Sequence, residues 1–366
     1  MTLDIVIFGL SITSSWGNGH ATTYRALVKA LAKRGHCVTF LERAAPWYRA
    51  HRDLTHADYC RVETYERLTD VAQRFGNLVT QADLVILGSY VPDGIALGEW
   101  ITAKANGVTA FYDIDTPVTL ASLEKGNAEY LSASLIPRFD LFLSFTGGPV
   151  LDLIEQHYGS PRARVLYCSA DPEQHKPLDV SPRWAMGYLG TYSADRQPVL
   201  DELLIAPARA LSQQNFVLAG AQYPSRFDWP VNLQRLEHVP PAEHAAFYCA
   251  QRFTLNATRA DMVARGYSPS VRLFEAAACG VPVISDSWPG IESLFKPGEE
   301  ILAAKSARDI IEVLNTMPAD RGRTIGAAAR RRFLRDHAPE QRAKNLESYY
   351  GEAVSASPHR AAAVVA

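Results

Sequence analysis

Short apolar runs alternate with amphipathic stretches along the whole chain, the pattern of parallel strands buried on both faces and joined by helices. In the first half, residues 3–10 form an apolar run that crosses a Ser/Thr/Gly loop into a helix over residues 21–34. The chain returns as a strand at 37–41 after the Gly35-His36 turn, which completes a βαβ unit. Further strands are predicted at 82–87, 108–112, 140–145 and 164–169. A second block of the same rhythm restarts at 185–190 and continues through 215–219, a strand starting near Leu233, 253–256, 282–285 and 301–303. Between the blocks, residues 171–182 are proline-rich and polar and read as an interdomain linker. The predicted fold class is therefore α/β, with two doubly wound, Rossmann-like domains. The boundaries are residues 1–172, residues 173–337, a helix over 338–354 and a small-residue tail over 355–366 that reads as disordered.

The densest chemistry lies in residues 267–292, YSPSVRLFEAAACGVPVISDSWPGIE. Ser268-Pro269-Ser270 offers a capping residue, a proline suited to a first helical turn and a second hydroxyl. A helix opening there presents unpaired N–H groups, and such an end attracts phosphate. The helix is expected to stop at Gly280 with Pro282 just beyond, and to hand over to a buried strand. Glu275 falls about two turns in, where a carboxylate can accept two hydrogen bonds from a vicinal diol.

This stretch resembles the donor-binding signature of the GT-B glycosyltransferases, in particular the group-1 (GT4-like) enzymes and their CgeB-like relatives, which share Glu-Ala-x-Ala-x-Gly-x-Pro-Val. The resemblance implies two domains facing across a cleft, with the last helix crossing back onto the N-terminal domain after a bend at Pro339. It implies that Glu275 holds ribose hydroxyls and that Gly266, Tyr267, Ser268 and Ser270 approach the sugar and phosphates. It also implies that backbone groups of His238 and Val239 edge the base. Many retaining members carry a second Glu eight positions upstream, where this chain has Tyr267.

A leaving nucleoside diphosphate gains negative charge as the glycosidic bond breaks, so a cation is needed beside it. Arg196 follows Gly190-Thr191-Tyr192-Ser193 after the first strand of the second block, and a guanidinium there suits a diphosphate. Arg259 and Arg265 are the reserve cations. In the first block, the loop Ser14-Ser15-Trp16-Gly17-Asn18-Gly19-His20 supplies two glycines, Gly17 and Gly19, for close backbone approach. His20 reads either as a general base or hydrogen-bond donor, or as a polar helix cap. Asp113 and Asp115 end a strand, and alternation places both carboxylates on one side as an acid/base or acceptor-hydroxyl site. The competing reading of that pair is an N-cap beside a Pro-led turn. The mixed segment 44–81 is the expected acceptor-facing insertion.

Composition narrows the field without changing it. A net charge of -2 gives no reason to expect nucleic acid as partner. Five dispersed cysteines read as reduced thiols of a cytoplasmic protein. No Cys or His spacing suggests a metal, no cofactor is expected, and no apolar run is long enough to cross a membrane, which leaves peripheral membrane contact open. The function expected is metal-independent transfer of a sugar from a nucleoside-diphosphate donor, UDP-linked, to a hydroxyl of a small molecule, glycan or protein. A non-transferring nucleotide-sugar-binding protein or an epimerase on the same scaffold is the competing reading.

Overall fold

The computed structural model describes residues 2–17 and 19–356 of the 366-residue chain. It divides into two compact units, Met1–Cys168 with Pro339–Ala366, and Ser169–Ala338. The first unit holds a seven-stranded parallel sheet of β1 (Asp4–Phe8), β2 (Cys37–Arg43), β3 (Arg61–Tyr65), β4 (Leu84–Gly88), β5 (Val108–Asp113), β6 (Leu141–Ser144) and β7 (Ala163–Val165), in the order β3-β2-β1-β4-β5-β6-β7. The second holds β8 (Trp184–Leu189), β9 (Phe216–Ala219), β10 (Leu233–Leu236), β11 (Gln251–Asn256), β12 (Val283–Ser285) and β13 (Leu302–Ala303), in the order β10-β9-β8-β11-β12-β13. Every pairing in both sheets is parallel.

The central strands explain why the apolar runs are so legible. β4 and β5 are buried at every position, because helices cover both faces of the sheet. The edge strand β3 is different. Its sequence RVETY is largely polar and only Tyr65 is fully buried, so it carries no apolar run. Residues 44–81 are accordingly not an insertion: β3 pairs with β2 from Thr39↔Arg61 to Arg43↔Tyr65, and the helix Leu68–Gln81 buries Val71, Phe75 and Val79 against the sheet.

The final helix, Pro339–Ser355, belongs to the first unit. Pro339 opens it rather than bending it, after Ala338 in an extended conformation, as the restriction on a residue preceding proline requires. The helix buries Arg342, Leu346 and Tyr350, and Glu347 accepts from Arg34 Nε and Nη2 at 2.6 Å each. Of the tail expected at 355–366, Ser355 is helical and residues 357–366 lie outside the described residues.

Candidate functional site

Ligands of doubly wound sheets bind at the carboxyl ends of the strands where the strand order reverses. In the second unit that point lies between β8 and β11. The loop after β8 carries Gly190, Thr191 and Arg196, and the chain after β11 leads to the helix Val271–Ala278. Two guanidiniums meet here. Arg196 Nη1 donates to Tyr188 Oη at 2.8 Å and to the Thr191 carbonyl at 3.3 Å. Arg272 Nη2 donates to the same hydroxyl at 3.2 Å, its Nη1 to Asn256 Oδ1 at 3.1 Å and its Nε to the Leu189 carbonyl at 2.5 Å.

Among the described residues, neither Arg196 nor Arg272 forms a salt bridge, and the buried Arg196 Nε has no hydrogen-bond partner. With no carboxylate in direct contact, these two guanidiniums are suited to receive an anion. Gly190 makes the arrangement fit: a Cβ there would lie 2.5 Å from Tyr188 Oη and 2.6 Å from Arg272 Nη2. Arg259 is engaged differently, with its Nε 3.2 Å from Asp195.

The helix spans Val271–Ala278, as the sequence predicts, but its cap falls at a different serine. Ser270, not Ser268, is the N-cap, and its hydroxyl donates to Asn256 Oδ1 at 2.7 Å instead of capping the first turn. The N–H groups of that turn therefore keep their anion-binding capacity, next to Arg272. Ser268 is fully buried and its hydroxyl donates to the Gly266 carbonyl at 2.7 Å, which turns it away from any ligand. Gly266 (φ 67°) and Tyr267 (φ 51°) both adopt the left-handed region, and Tyr267 N–H donates to the Pro289 carbonyl at 2.7 Å. A non-glycine residue held there stores strain, as loops at binding sites often do.

Glu275 is not open to a diol in this conformation. It is 3 % exposed; Oε2 accepts from Tyr248 Oη at 2.6 Å and Oε1 lies 3.7 Å from both His175 Nε2 and His244 Nδ1. Burial by itself would raise its pKa, but His244, His175 and Tyr248 outweigh that and hold it down to about 2. The ribose contact expected of Glu275 thus requires this cluster to open. His238 is exposed, whereas Val239 is buried and its carbonyl faces His244 Nε2 at 3.1 Å.

The first unit has its own reversal point, between β1 and β4. Gly17 is left-handed (φ 58°) with open space around it, and Gly19 starts the helix Gly19–Lys33 with His20 second. Burial pushes the His20 imidazole down to about 4, so it is neutral near pH 7. Its ring meets Tyr90 edge-on at 5.5 Å, and Tyr90 Oη donates to Asp115 Oδ2 at 3.0 Å. Tyr90 is itself left-handed (φ 62°).

Asp113 and Asp115 do not converge on one spot, because β5 ends at Asp113 and strand alternation ends with it. Asp115 is the N-cap residue of the helix Thr116–Glu124. Asp113 is fully buried, with Oδ1 accepting from Asp115 N–H at 3.1 Å and Thr119 Oγ1 at 2.9 Å, and Oδ2 unpartnered. It is out of reach of an acceptor, and Asp115 is the member of the pair that remains accessible.

Burial raises the Asp113 pKa from 3.8 to about 7. The folded state therefore holds this proton more tightly than the unfolded chain does. The stabilisation is complete below about pH 4 and is lost as pH rises through 7. Asp113→Asn keeps both Oδ1 bonds without the charge. Between pH 5 and 7 the wild type is expected to lose on the order of 2 kcal/mol relative to this variant, read from denaturant midpoints at each pH. Parallel pH profiles for the two proteins would refute the assignment.

Three residues carry these sites without a signal that the sequence reading used. Arg272 sits alone on an apolar helix face, two residues past the cap, and that isolation was its only mark. Asn256, fully buried at the end of β11, ties Ser270, Arg272 and Ser285 together. Glu42, 2 % exposed near the end of β2, accepts from Ser11 Oγ at 3.1 Å, Ile12 N–H at 2.8 Å and Thr13 N–H at 3.1 Å, and from the Thr13 hydroxyl. It thereby shapes the loop after β1.

Residues 196–348 match a family model described as glycosyl transferase-like. Those residues form a glycosyl transferase-like domain, and the chain has the GT-B fold. Nearly its whole length superposes on solved structures of that fold. Sucrose-phosphate synthase from Thermosynechococcus elongatus matches with a TM-score of 0.69 at 16 % identity, over 97 % of this chain and 100 % of that one. Anabaena HepE in complex with UDP-glucose gives 0.70 at 14 % identity, over 96 % and 100 %. An alpha-glucosyltransferase in complex with UDP and a 13-mer DNA gives 0.69 at 13 % identity, over 96 % and 100 %. No curated protein matches the chain. The glycosyltransferase-like stretch includes Arg196, Arg272 and the helix Val271–Ala278. Among the described residues no helix is long and apolar enough to cross a membrane.

Proposed function

We propose that this GT-B protein transfers a sugar from a UDP-linked donor to an acceptor hydroxyl, with the second unit binding the donor. The observation that carries this reading is the pair of guanidiniums, Arg272 buried and Arg196 half-buried, sharing the Tyr188 hydroxyl beside the first turn of Val271–Ala278. Arg196, Arg272 and the helix N–H groups take the diphosphate and stabilise the charge it gains on leaving. HepE, a structural neighbour, has been solved with UDP-glucose, which supports the choice of nucleotide.

In the first unit, neutral His20 accepts the proton of the acceptor hydroxyl and Asp115, steadied by Tyr90, orients it. The acceptor itself is a small molecule, a glycan or a protein side chain, and the protein works in the cytoplasm without a cofactor. No step of this scheme uses a metal ion.

Calorimetric titration of the full chain with a panel of nucleoside diphosphates tests the reading. UDP is expected to bind, and Arg272→Lys to weaken it by about tenfold or more, since an ammonium cannot keep the fork of contacts made to Tyr188, Asn256 and Leu189. Failure of every nucleoside diphosphate to bind would exclude the function.

A further inference from the structure

The ion pair of Asp195 and Arg259 stands at the donor end of the second sheet and takes no part in the transfer scheme. β8 and β11 pair in parallel, Met186 beside Phe253 and Gly187 beside Thr254, so the loops that follow them leave the sheet side by side. Asp195 lies in the first of these loops, next to Arg196, and Arg259 lies in the second, just before the helix Ala260–Arg265. The backbone that carries Arg259 is anchored. Thr258 is 2 % exposed, and its N–H and hydroxyl donate to Asp286 at 3.2 and 2.8 Å.

Asp195 is held as a bound anion is held. Its Oδ2 accepts from Arg259 Nε at 3.2 Å and its Oδ1 accepts from the Ser193 hydroxyl. Partial burial by itself would raise the Asp195 pKa, but Ser193, Arg259 and the nearby charge of Arg196 outweigh it and keep the carboxyl below its ordinary value. A hydroxyl and guanidinium charge are also what a phosphate oxygen takes as partners. The side chains of Arg259 and Asp195 keep 26 % and 31 % of their surface exposed, so solvent screens the pair and parting it costs little.

We propose that Asp195 is an internal stand-in for the donor's diphosphate: its carboxylate occupies Arg259 in the empty protein, and the diphosphate displaces it, making Arg259 a third cation on the leaving group. This inference rests on the donor reading and adds to it one positioning carboxylate and one further cation. Charge sets the direction of the exchange. A nucleoside diphosphate is more negative than one carboxylate and meets Arg196 and Arg272 as well, so it takes Arg259 while it is bound. After transfer, the carboxylate competes for Arg259 again and speeds release of the nucleotide.

The test is calorimetric titration of the full chain with UDP. Asp195→Asn is expected to tighten UDP by about three- to fivefold, the worth of one half-exposed ion pair that no longer has to be broken. Asp195→Ala should show the same gain, and stopped-flow mixing should show slower UDP dissociation in both. Arg259→Gln should weaken UDP by about tenfold, the loss of one charge-assisted contact. Circular dichroism and urea midpoints confirm that each variant is folded.

The double variant separates displacement from plain repulsion between two negative groups. Displacement requires Arg259, so adding Asp195→Asn to Arg259→Gln should change UDP affinity by less than about twofold. A gain that survives in the Arg259→Gln background would overturn the assignment. So would unchanged or weaker UDP binding in Asp195→Asn and Asp195→Ala, which would make the carboxylate a fixed support of Arg259. Failure of UDP to bind the wild type removes the donor reading and this inference together, whereas UDP binding without a gain in the Asp195 variants removes this inference alone.

Discussion

Arg196→Ala should lower turnover by roughly 10²–10³-fold, the usual cost of removing one preorganised donor from a developing negative charge. The size follows from placement. The Arg196 guanidinium spends only Nη1 on the protein, on Tyr188 and Thr191, and among the described residues no carboxylate neutralises it in a salt bridge.

Because the leaving group is most negative in the transition state, kcat should fall more than the donor KM rises. Release of UDP from the donor, followed as a function of donor concentration, separates the two. Arg196→Lys should recover only part of the loss, since an ammonium cannot reproduce the planar donor set. Unchanged kcat in Arg196→Ala, with the unfolding midpoint also unchanged, would show that the diphosphate is stabilised elsewhere.

Glu42→Ala carries the second large effect, on stability. Removing a buried acceptor leaves the Ser11 hydroxyl, the Ile12 and Thr13 N–H groups and the Thr13 hydroxyl without their partner. The expected cost is roughly 3–5 kcal/mol, the range for breaking a buried charged network by deleting one member.

The loop from Ser11 to Ser15 should also lose its shape. That loop is stitched at its far side as well, by Asp53 to Ser15 at 3.0 Å and by Arg25 to both Asp53 and the Ile12 carbonyl. Urea unfolding with an intrinsic tryptophan signal reads the stability. Trp16, stacked on His51 at 4.3 Å, reports on the loop. A variant within 1 kcal/mol of wild type would mean that water replaces the carboxylate at little cost.

Much of the architecture could be read before any coordinates, for a physical reason. Parallel strands covered on both faces are apolar along most of their length, so β1, β4, β5 and β8 stand out as runs. β3 was missed because an edge strand has a face in solvent, and Arg61 and Glu63 pair with each other there at 2.7 Å instead of entering a core. Arg196 and His20 were legible because each follows a recognisable strand and glycine loop. Arg272 was hidden in an apolar stretch, where one basic residue reads as an ordinary helix residue.

The alternation argument for Asp113 and Asp115 failed at a boundary no periodicity marks, the last residue of β5. The chain's own residues thus determined the strand–helix rhythm, the two-sheet plan and the glycine-bounded loops, since these depend on local burial and local backbone freedom. Only the tertiary structure decided that Arg196 and Arg272 share one hydroxyl, that Asp113 is sealed while Asp115 is not, and that Glu275 faces His175 and His244. Those facts depend on which distant segments are packed side by side, and adjacency in space leaves no periodic trace in a sequence.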